Sequence, residues 1–204
     1  MLVLFRKKRE VIDMCVFDDM RKKNNYFKDF HNSDDIEEIA TEVRKMFKLE
    51  ENPTQIANIL DRVGIKIFIL EMPENISGRI GIKKEFEDLL GSKKILQINS
   101  RDNRGHQRFT MAHELGHYIF DYNGRDDYAD AYCLDEKNVK TSGEVRVNRF
   151  AAALLMPKDI FIEKYLEHRS LGINDIEILK KSLADEFEVS KTAVSKRISE
   201  LGLE

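Results

Sequence analysis

QRFTMAHELGHYIF, the stretch at residues 107–120, carries the strongest structural signal in this chain. Its apolar residues recur at the spacing of an amphipathic helix. They are Phe109, Ala112, Gly116, Ile119 and Phe120. A polar turn at residues 99–105 precedes the stretch and favours a helix start there. The pattern therefore predicts one amphipathic helix, around which the rest of the fold is expected to form.

Three polar residues of this helix suit metal chemistry. His113 and His117 are four residues apart, so their side chains lie on one face about 5–6 Å apart and can share a metal ion. Glu114 is rotated from that line by about 100°, so it can reach a water molecule at the metal without ligating it. The competing interpretation is chance, which would produce the pattern in about one chain in a hundred of this composition. We therefore favour a metal site.

A second helix, predicted at about residues 143–156, offers the remaining groups that such a site needs. A catalytic zinc ion takes a third protein ligand and keeps one open position. Glu144 and Asn148 share a helix face, so we expect Glu144 to complete the site and Asn148 to hydrogen-bond a ligating histidine. A rigid helix also holds a ligand better than a polar loop does. The competing ligands downstream of His117 are Asp121, Asp130, Asp135, Glu136 and His168.

Two stretches together resemble the ImmA/IrrE-type metallopeptidases: residues 107–118, QRFTMAHELGHY, and residues 148–157, NRFAAALLMP. The resemblance extends over about Ile36–Leu203. It implies a gluzincin-like α+β fold, in which a small twisted sheet packs on helices and the HExxH helix forms the floor of a cleft. It also implies that Glu144 is the third ligand. The implied substrate is a protein, commonly a transcriptional repressor or regulator with a helix-turn-helix.

The chemistry expected at this site is zinc-dependent peptide hydrolysis. Glu114 is the expected general base, which takes a proton from water and passes it to the leaving amine. Zinc (Zn2+) suits a His-His-Glu site, and manganese is the alternative metal. Four candidates remain open for the group that stabilises the oxyanion: Tyr118, Tyr122, Tyr132 and His168.

One position departs from the family pattern. Where relatives often have Glu-Ala before the asparagine, this chain has Arg146 and Val147. Arg146 follows Glu144 by two residues, which is about 200° around a helix. We therefore expect Arg146 to point away from the metal and to matter little.

Helix and strand signals elsewhere predict an α+β fold. A helix is expected from Ser33 through Phe47, and a second from Pro53 to Gly64, with Asn52 as its cap. Strands are expected at residues 65–70, 76–82 and 95–98. Residues 78–82 are expected to be either an exposed edge strand that pairs with substrate or an ordinary internal strand.

We expect three regions along the chain. Residues 1–32 are a variable N-terminal extension without a clear period. Residues 33–168 form the metallopeptidase domain, and residues 169–204 form a helical segment that resembles a helix-turn-helix. A chain of 204 residues has room for one main core and a small second module.

Composition indicates a cytoplasmic protein without a membrane partner. Two cysteines are too few for the disulfide framework of a small secreted domain. Positive charges follow the short apolar start, which is the reverse of a signal peptide, and no stretch approaches the ~20 apolar residues of a membrane span. The net charge of −3 provides no overall attraction for nucleic acid.

Two other functions compete with hydrolysis. Residues 179–201 resemble a helix-turn-helix, with a turn near Glu188 and Ser190 capping the second helix, so a DNA-binding regulator is the first alternative. Residues 171–204 hold 5 Lys and Arg against 7 Asp and Glu, which weakens it because phosphate contacts dominate DNA affinity. Glu188 also occupies a turn position where glycine is usual. The second alternative is a zinc-binding sensor that hydrolyses nothing.

Overall fold

The computed structural model describes residues 33–49, 52–122, 127–129, 133–134 and 142–203. The extension at residues 1–32 lies outside this part of the chain. Within it, helices and strands follow one another in a mixed α+β order. They are α1 (Ser33–Phe47), α2 (Ile56–Arg62), β1 (Ile65–Leu70), β2 (Ile76–Lys83), α3 (Lys84–Leu90), β3 (Lys94–Asn99), α4 (Arg104–Phe120), β4 (Asp127–Ala129), β5 (Cys133–Leu134), α5 (Ser142–Leu155), α6 (Lys158–Ser170), α7 (Ile176–Phe187) and α8 (Lys191–Glu200). The predicted α+β class is confirmed.

The sheet has a three-stranded centre to which two short strands are added. β1 pairs with β3 in parallel, and β3 pairs with β2 antiparallel. β4 and β5 both pair antiparallel with the other side of β2. β2 is therefore internal, so of the two alternatives left open for residues 78–82 the ordinary internal strand is observed and the exposed edge strand is not. Its outer partners come from a polar stretch after α4, in which no strand is predicted because the stretch lacks an apolar pattern.

Helix α4, which carries the HExxH motif, lies between the sheet and α5. Against the sheet the approach is close, since a Cβ added at Gly78 would lie 2.5 Å from Thr110 Cγ2. Against α5 the approach depends on Gly116, where an added Cβ would lie 3.1 Å from Val147 Cβ. At these two positions α4 packs closely on the sheet and on α5. Its histidine face therefore lies next to α5.

One predicted boundary changes, one is confirmed, and one helix is added to the predicted elements. Helix α2 begins at Ile56 rather than at Pro53, because Thr54 Oγ1 donates to Leu154 O at 2.9 Å and holds the preceding turn against α5. Gly64 follows the helix with φ +75°, as a C-terminal glycine should. Helix α3 is not predicted by the apolar pattern because none of its residues is buried.

The C-terminal helices join the start of α4. Ser190 accepts a hydrogen bond from Ala193 N at 3.1 Å and so caps α8, as predicted, and Glu188 ends α7 with φ +51°. Arg108 Nε donates to Glu188 O at 2.9 Å. Burial lowers the pKa of Arg108, and the charge of Glu188 opposes that shift.

Buried side chains continue from the sheet into these C-terminal helices. They include Leu179, Leu183, Phe187, Val194 and Ile198. Arg197 is 0% exposed and pairs with Glu37 of α1 at 2.5 Å. No helix in the described residues is long and apolar enough to cross a membrane.

Candidate metal centre

The two histidines of the motif lie buried on one face of α4. His113 is 2% exposed and His117 is 6% exposed. Their Nε2 atoms are 3.0 Å apart. Glu114, between them in sequence, is also buried, with 1% exposure. The four-residue spacing therefore places the two imidazole rings side by side on one helix face, as helix geometry predicts.

Glu144 reaches the same point from the first turn of α5. Its Oε2 atom lies 3.4 Å from His113 Nε2, and its Oε1 atom lies 3.3 Å from His117 Nε2. The three residues form a group that could hold a metal ion, with their ligand atoms within 4.8 Å of one another. The sequence predicted this group from the position of Glu144 on a second helix.

The spacing of these atoms fits a tetrahedral metal. Zinc binds histidine nitrogen and carboxylate oxygen at about 2.0–2.1 Å, which places two ligand atoms of a tetrahedron about 3.3 Å apart. The separations of 3.0, 3.4 and 3.3 Å agree with that edge length. Two imidazoles and one carboxylate also match the donor set of a catalytic zinc site that keeps a fourth position open. The residues present therefore fit zinc.

The outer nitrogen of each histidine has a hydrogen-bond acceptor. Asn148 Oδ1 lies 3.1 Å from His113 Nδ1, which is the contact expected for Asn148. Asp121 Oδ2 lies 2.7 Å from His117 Nδ1. Both oxygens are hydrogen-bond acceptors, which favours the tautomer with its proton on Nδ1. The Nε2 atom then carries the lone pair that a metal ion needs.

Asp121 is the residue whose place the sequence analysis missed. It appears there only as a competing metal ligand, whereas the structure puts its carboxylate on the Nδ1 side of His117. The available signal was its position four residues after His117, which places both side chains on one helix face. Such a partner fixes the ring orientation of a ligating histidine.

Arg146 is connected to this arrangement, contrary to expectation. Its Nη2 atom donates to Asp121 Oδ1 at 2.7 Å, and its guanidinium lies 4.9 Å from the centre of the Phe120 ring. An angular offset of about 200° on the helix does not prevent this contact, because the arginine side chain is long. That length lets Arg146 reach the C-terminal end of α4.

The other candidates from the sequence lie elsewhere or outside the described residues. Tyr118 is 1% exposed and its hydroxyl accepts from Lys94 Nζ at 2.6 Å, so it points into the core rather than towards the histidines. Tyr122 stacks on Tyr118, with ring centres 5.3 Å apart. His168 bonds Glu186 of α7 at 3.1 Å. The candidates outside the described residues are Asp130, Tyr132, Asp135 and Glu136.

The mixed α+β fold brings together His113, His117 and Glu144, a group that could hold a metal ion. The family model described as the IrrE N-terminal-like domain, a peptidase family, matches residues 60–199. The chain therefore belongs to the ImmA/IrrE family, and the resemblance found in its sequence is confirmed.

Several solved structures match the chain, and one of them shares its fold at low sequence identity. It is a Mycobacterium tuberculosis transcriptional regulator, 20% identical, with a TM-score of 0.52. The match covers 88% of this chain and 51% of that one, so the chain spans about half the length of the regulator. No curated protein matches the sequence.

Proposed function

We propose that the chain is a zinc-dependent endopeptidase that hydrolyses a peptide bond in a protein substrate. His113, His117 and Glu144 are the proposed zinc ligands, Glu114 is the proposed catalytic residue, and Asn148 orients His113. The observation that carries the proposal is the convergence of three ligand atoms from α4 and α5 at separations of 3.0–3.4 Å.

The proposed mechanism depends on Glu114. When bound, zinc supplies Lewis-acid activation of water and of the scissile carbonyl. The Glu114 carboxylate takes a proton from the attacking water and delivers it to the leaving amine nitrogen. Its position in the buried motif helix, one residue after His113, keeps the carboxylate beside the ligands and away from bulk water.

The proposed substrate is a helix-turn-helix transcriptional repressor or regulator in the cytoplasm. This class rests on membership of the ImmA/IrrE family. We also propose the division into an extension at 1–32, a peptidase domain at 33–168 and a helix-turn-helix-like segment at 169–204. In this arrangement the motif helix forms the floor of a gluzincin-like cleft, and the last segment serves folding or the docking of substrate.

The test is co-expression with a helix-turn-helix regulator encoded near this gene, where membership of the family implies that a substrate is found, followed by immunoblotting of that regulator. The native chain is expected to cut it, and the Glu114→Gln variant is expected to leave it intact while still binding zinc, because an amide cannot accept the water proton. Equal cleavage by Glu114→Gln would remove Glu114 from the mechanism. Zinc binding without cleavage of any regulator would favour the alternative of a non-catalytic sensor.

A DNA-binding regulator is the second candidate. The capped turn between α7 and α8 and the name of the structural neighbour support it. Against it, Arg197 of α8 is fully buried and paired with Glu37 and Glu200. That pairing removes one of the few cations available for phosphate contacts. Salt-sensitive binding of duplex DNA by the purified full chain would support this candidate over the peptidase.

A further inference from the structure

We propose that Asp121 and Arg146 are positioning residues for the metal centre. Together they hold His117 in the orientation and tautomer in which its Nε2 atom meets the metal. This inference rests on the zinc site proposed above and adds two residues to it.

Asp121 is in direct contact with the ring of His117. A carboxylate oxygen lies 2.7 Å from Nδ1, while Nε2 of the same ring lies 3.3 Å from Glu144 Oε1. The ring thus meets a hydrogen-bond acceptor at Nδ1 and presents Nε2 towards Glu144. Hydrogen bonds to an ionised acceptor are shorter and about twice as strong as neutral ones. His113 has the neutral amide of Asn148 at 3.1 Å instead, so the carboxylate makes His117 the more firmly oriented ligand.

Arg146 holds Asp121 in the position from which it contacts His117. Asp121 follows the last residue of α4 and its side chain is 32% exposed, so it could turn towards a nearby cation and become a ligand itself. Arg146 bonds Oδ1 at 2.7 Å, whereas His117 bonds Oδ2. Both carboxylate oxygens are therefore engaged on the Nδ1 side of the ring. Arg146 keeps Asp121 as a partner of the ligand rather than a competitor for the metal.

Arg146 is itself held in place by its surroundings. Its side chain is 11% exposed, and its guanidinium lies over the ring of Phe120 at 4.9 Å. A cation over an aromatic face is favoured, more so when it is partly desolvated. Arg149 has the same side chain on the same helix but different surroundings. It is 41% exposed and lies 4.0 Å from Glu200. Arg149 is therefore a matched control for the charge of Arg146.

The experiment measures zinc affinity and the ligand field of the full chain. Metal-free protein competes with a chromophoric chelator for zinc, and cobalt(II) replaces zinc for visible absorption spectra. We expect Asp121→Asn and Arg146→Gln each to weaken zinc binding by about 10–100-fold and to change the cobalt spectrum. Arg146→Lys should recover part of the affinity because it keeps the charge but loses the planar geometry. Arg149→Gln should match the native chain.

The possible failures are distinguishable. If the native chain binds no zinc, the proposed metal site fails and this inference fails with it. If the native chain binds zinc and both Asp121→Asn and Arg146→Gln keep its affinity and cobalt spectrum, only the positioning roles are overturned. Circular dichroism of the metal-free variants checks their folding. Should Arg146→Gln not fold, Asp121→Asn decides, and native-like zinc binding by that variant overturns the inference.

Discussion

At the scale of single residues, the two ring nitrogens of each histidine face different partners. The Nδ1 atoms of His113 and His117 face Asn148 and Asp121, and the Nε2 atoms face one another and Glu144. This arrangement orients both rings so that their Nε2 atoms point towards Glu144. A metal ion can then bind without reorganising the side chains, which is what a preorganised site requires.

Glu144→Ala should abolish both zinc binding and peptide hydrolysis. Two protein ligands rarely hold zinc, and removal of this carboxylate leaves only His113 and His117. Zinc content after gel filtration, measured by atomic absorption, checks the first effect. Glu163→Ala, which removes an exposed carboxylate on α6, is the control and should retain the metal. A Glu144→Ala protein with stoichiometric zinc would mean that another residue is the third ligand.

Asn148→Ala should reduce zinc affinity or the rate of cleavage by about 10–100-fold without removing the site. The amide fixes the ring of His113 through the contact at 3.1 Å but does not touch the metal itself. Asn148→Asp, which keeps the acceptor oxygen, should retain more affinity than Asn148→Ala. Chelator competition on the three proteins decides, and equal affinities would assign Asn148 to packing alone.

At the scale of helices and strands, the site depends on how closely α4 approaches its neighbours. Glycines permit the approach on three sides: Gly78 of β2, Gly116 within α4, and Gly105 at its start. At Gly105 an added Cβ would lie 2.8 Å from the backbone carbon of Val189, between α7 and α8. The N-terminal turn of the motif helix therefore rests directly on the C-terminal helices.

Gly105→Ala should destabilise the protein by about 1–3 kcal/mol, the usual cost of overpacking. Alanine suits a helix better than glycine by about 1 kcal/mol, but the backbone of Val189 cannot turn aside. Denaturant unfolding measures the change. Gly81→Ala is the matched control, because its new Cβ would meet only the Phe86 ring at 3.3 Å, and a ring can move. Equal stability of the two variants would contradict the close contact.

Local patterns predicted most elements, and distant contacts explain the failures. The helix of His113 and His117 and the second helix of Glu144 follow from spacing within a few turns. The start of α2 does not, because Thr54 is held by Leu154, 100 positions later in the chain. The contact of Arg146 with Asp121 spans 25 positions and exists only once α4 and α5 have packed. A helical wheel cannot show such a contact.

At the scale of the whole molecule, the C-terminal helices are part of the same packing as the motif helix. The buried side chains of α7 and α8 continue the core, and Arg197 pairs with Glu37 at the start of the described chain. Arg108 links α4 to both Glu188 O and Thr54 O. A structural change in α7 or α8 would therefore be transmitted to the N-terminal part of the motif helix through only a few contacts.

Removal of residues 172–204 should leave a protein that does not unfold cooperatively. The deletion takes away Leu179, Leu183, Phe187, Val194 and Ile198. Each fully buried side chain of this kind contributes about 1.5–3 kcal/mol, so together they rival the roughly 5–15 kcal/mol stability of a whole domain. Calorimetry of the truncated and full chains is the measurement. A truncated protein with the native melting temperature would mean that the segment is an independent module.

The contacts that α5 makes with the metal centre also constrain the length of that helix. Glu144, Arg146 and Asn148 reach the two histidines and Asp121 from alternate positions of one continuous helix. One inserted or deleted residue between Glu144 and Arg146 would rotate everything after it by about 100° and shift it by about 1.5 Å. Mutation can therefore replace these side chains singly, whereas a change of length between Glu144 and Arg146 would separate Glu144 from Arg146 and Asn148 at once.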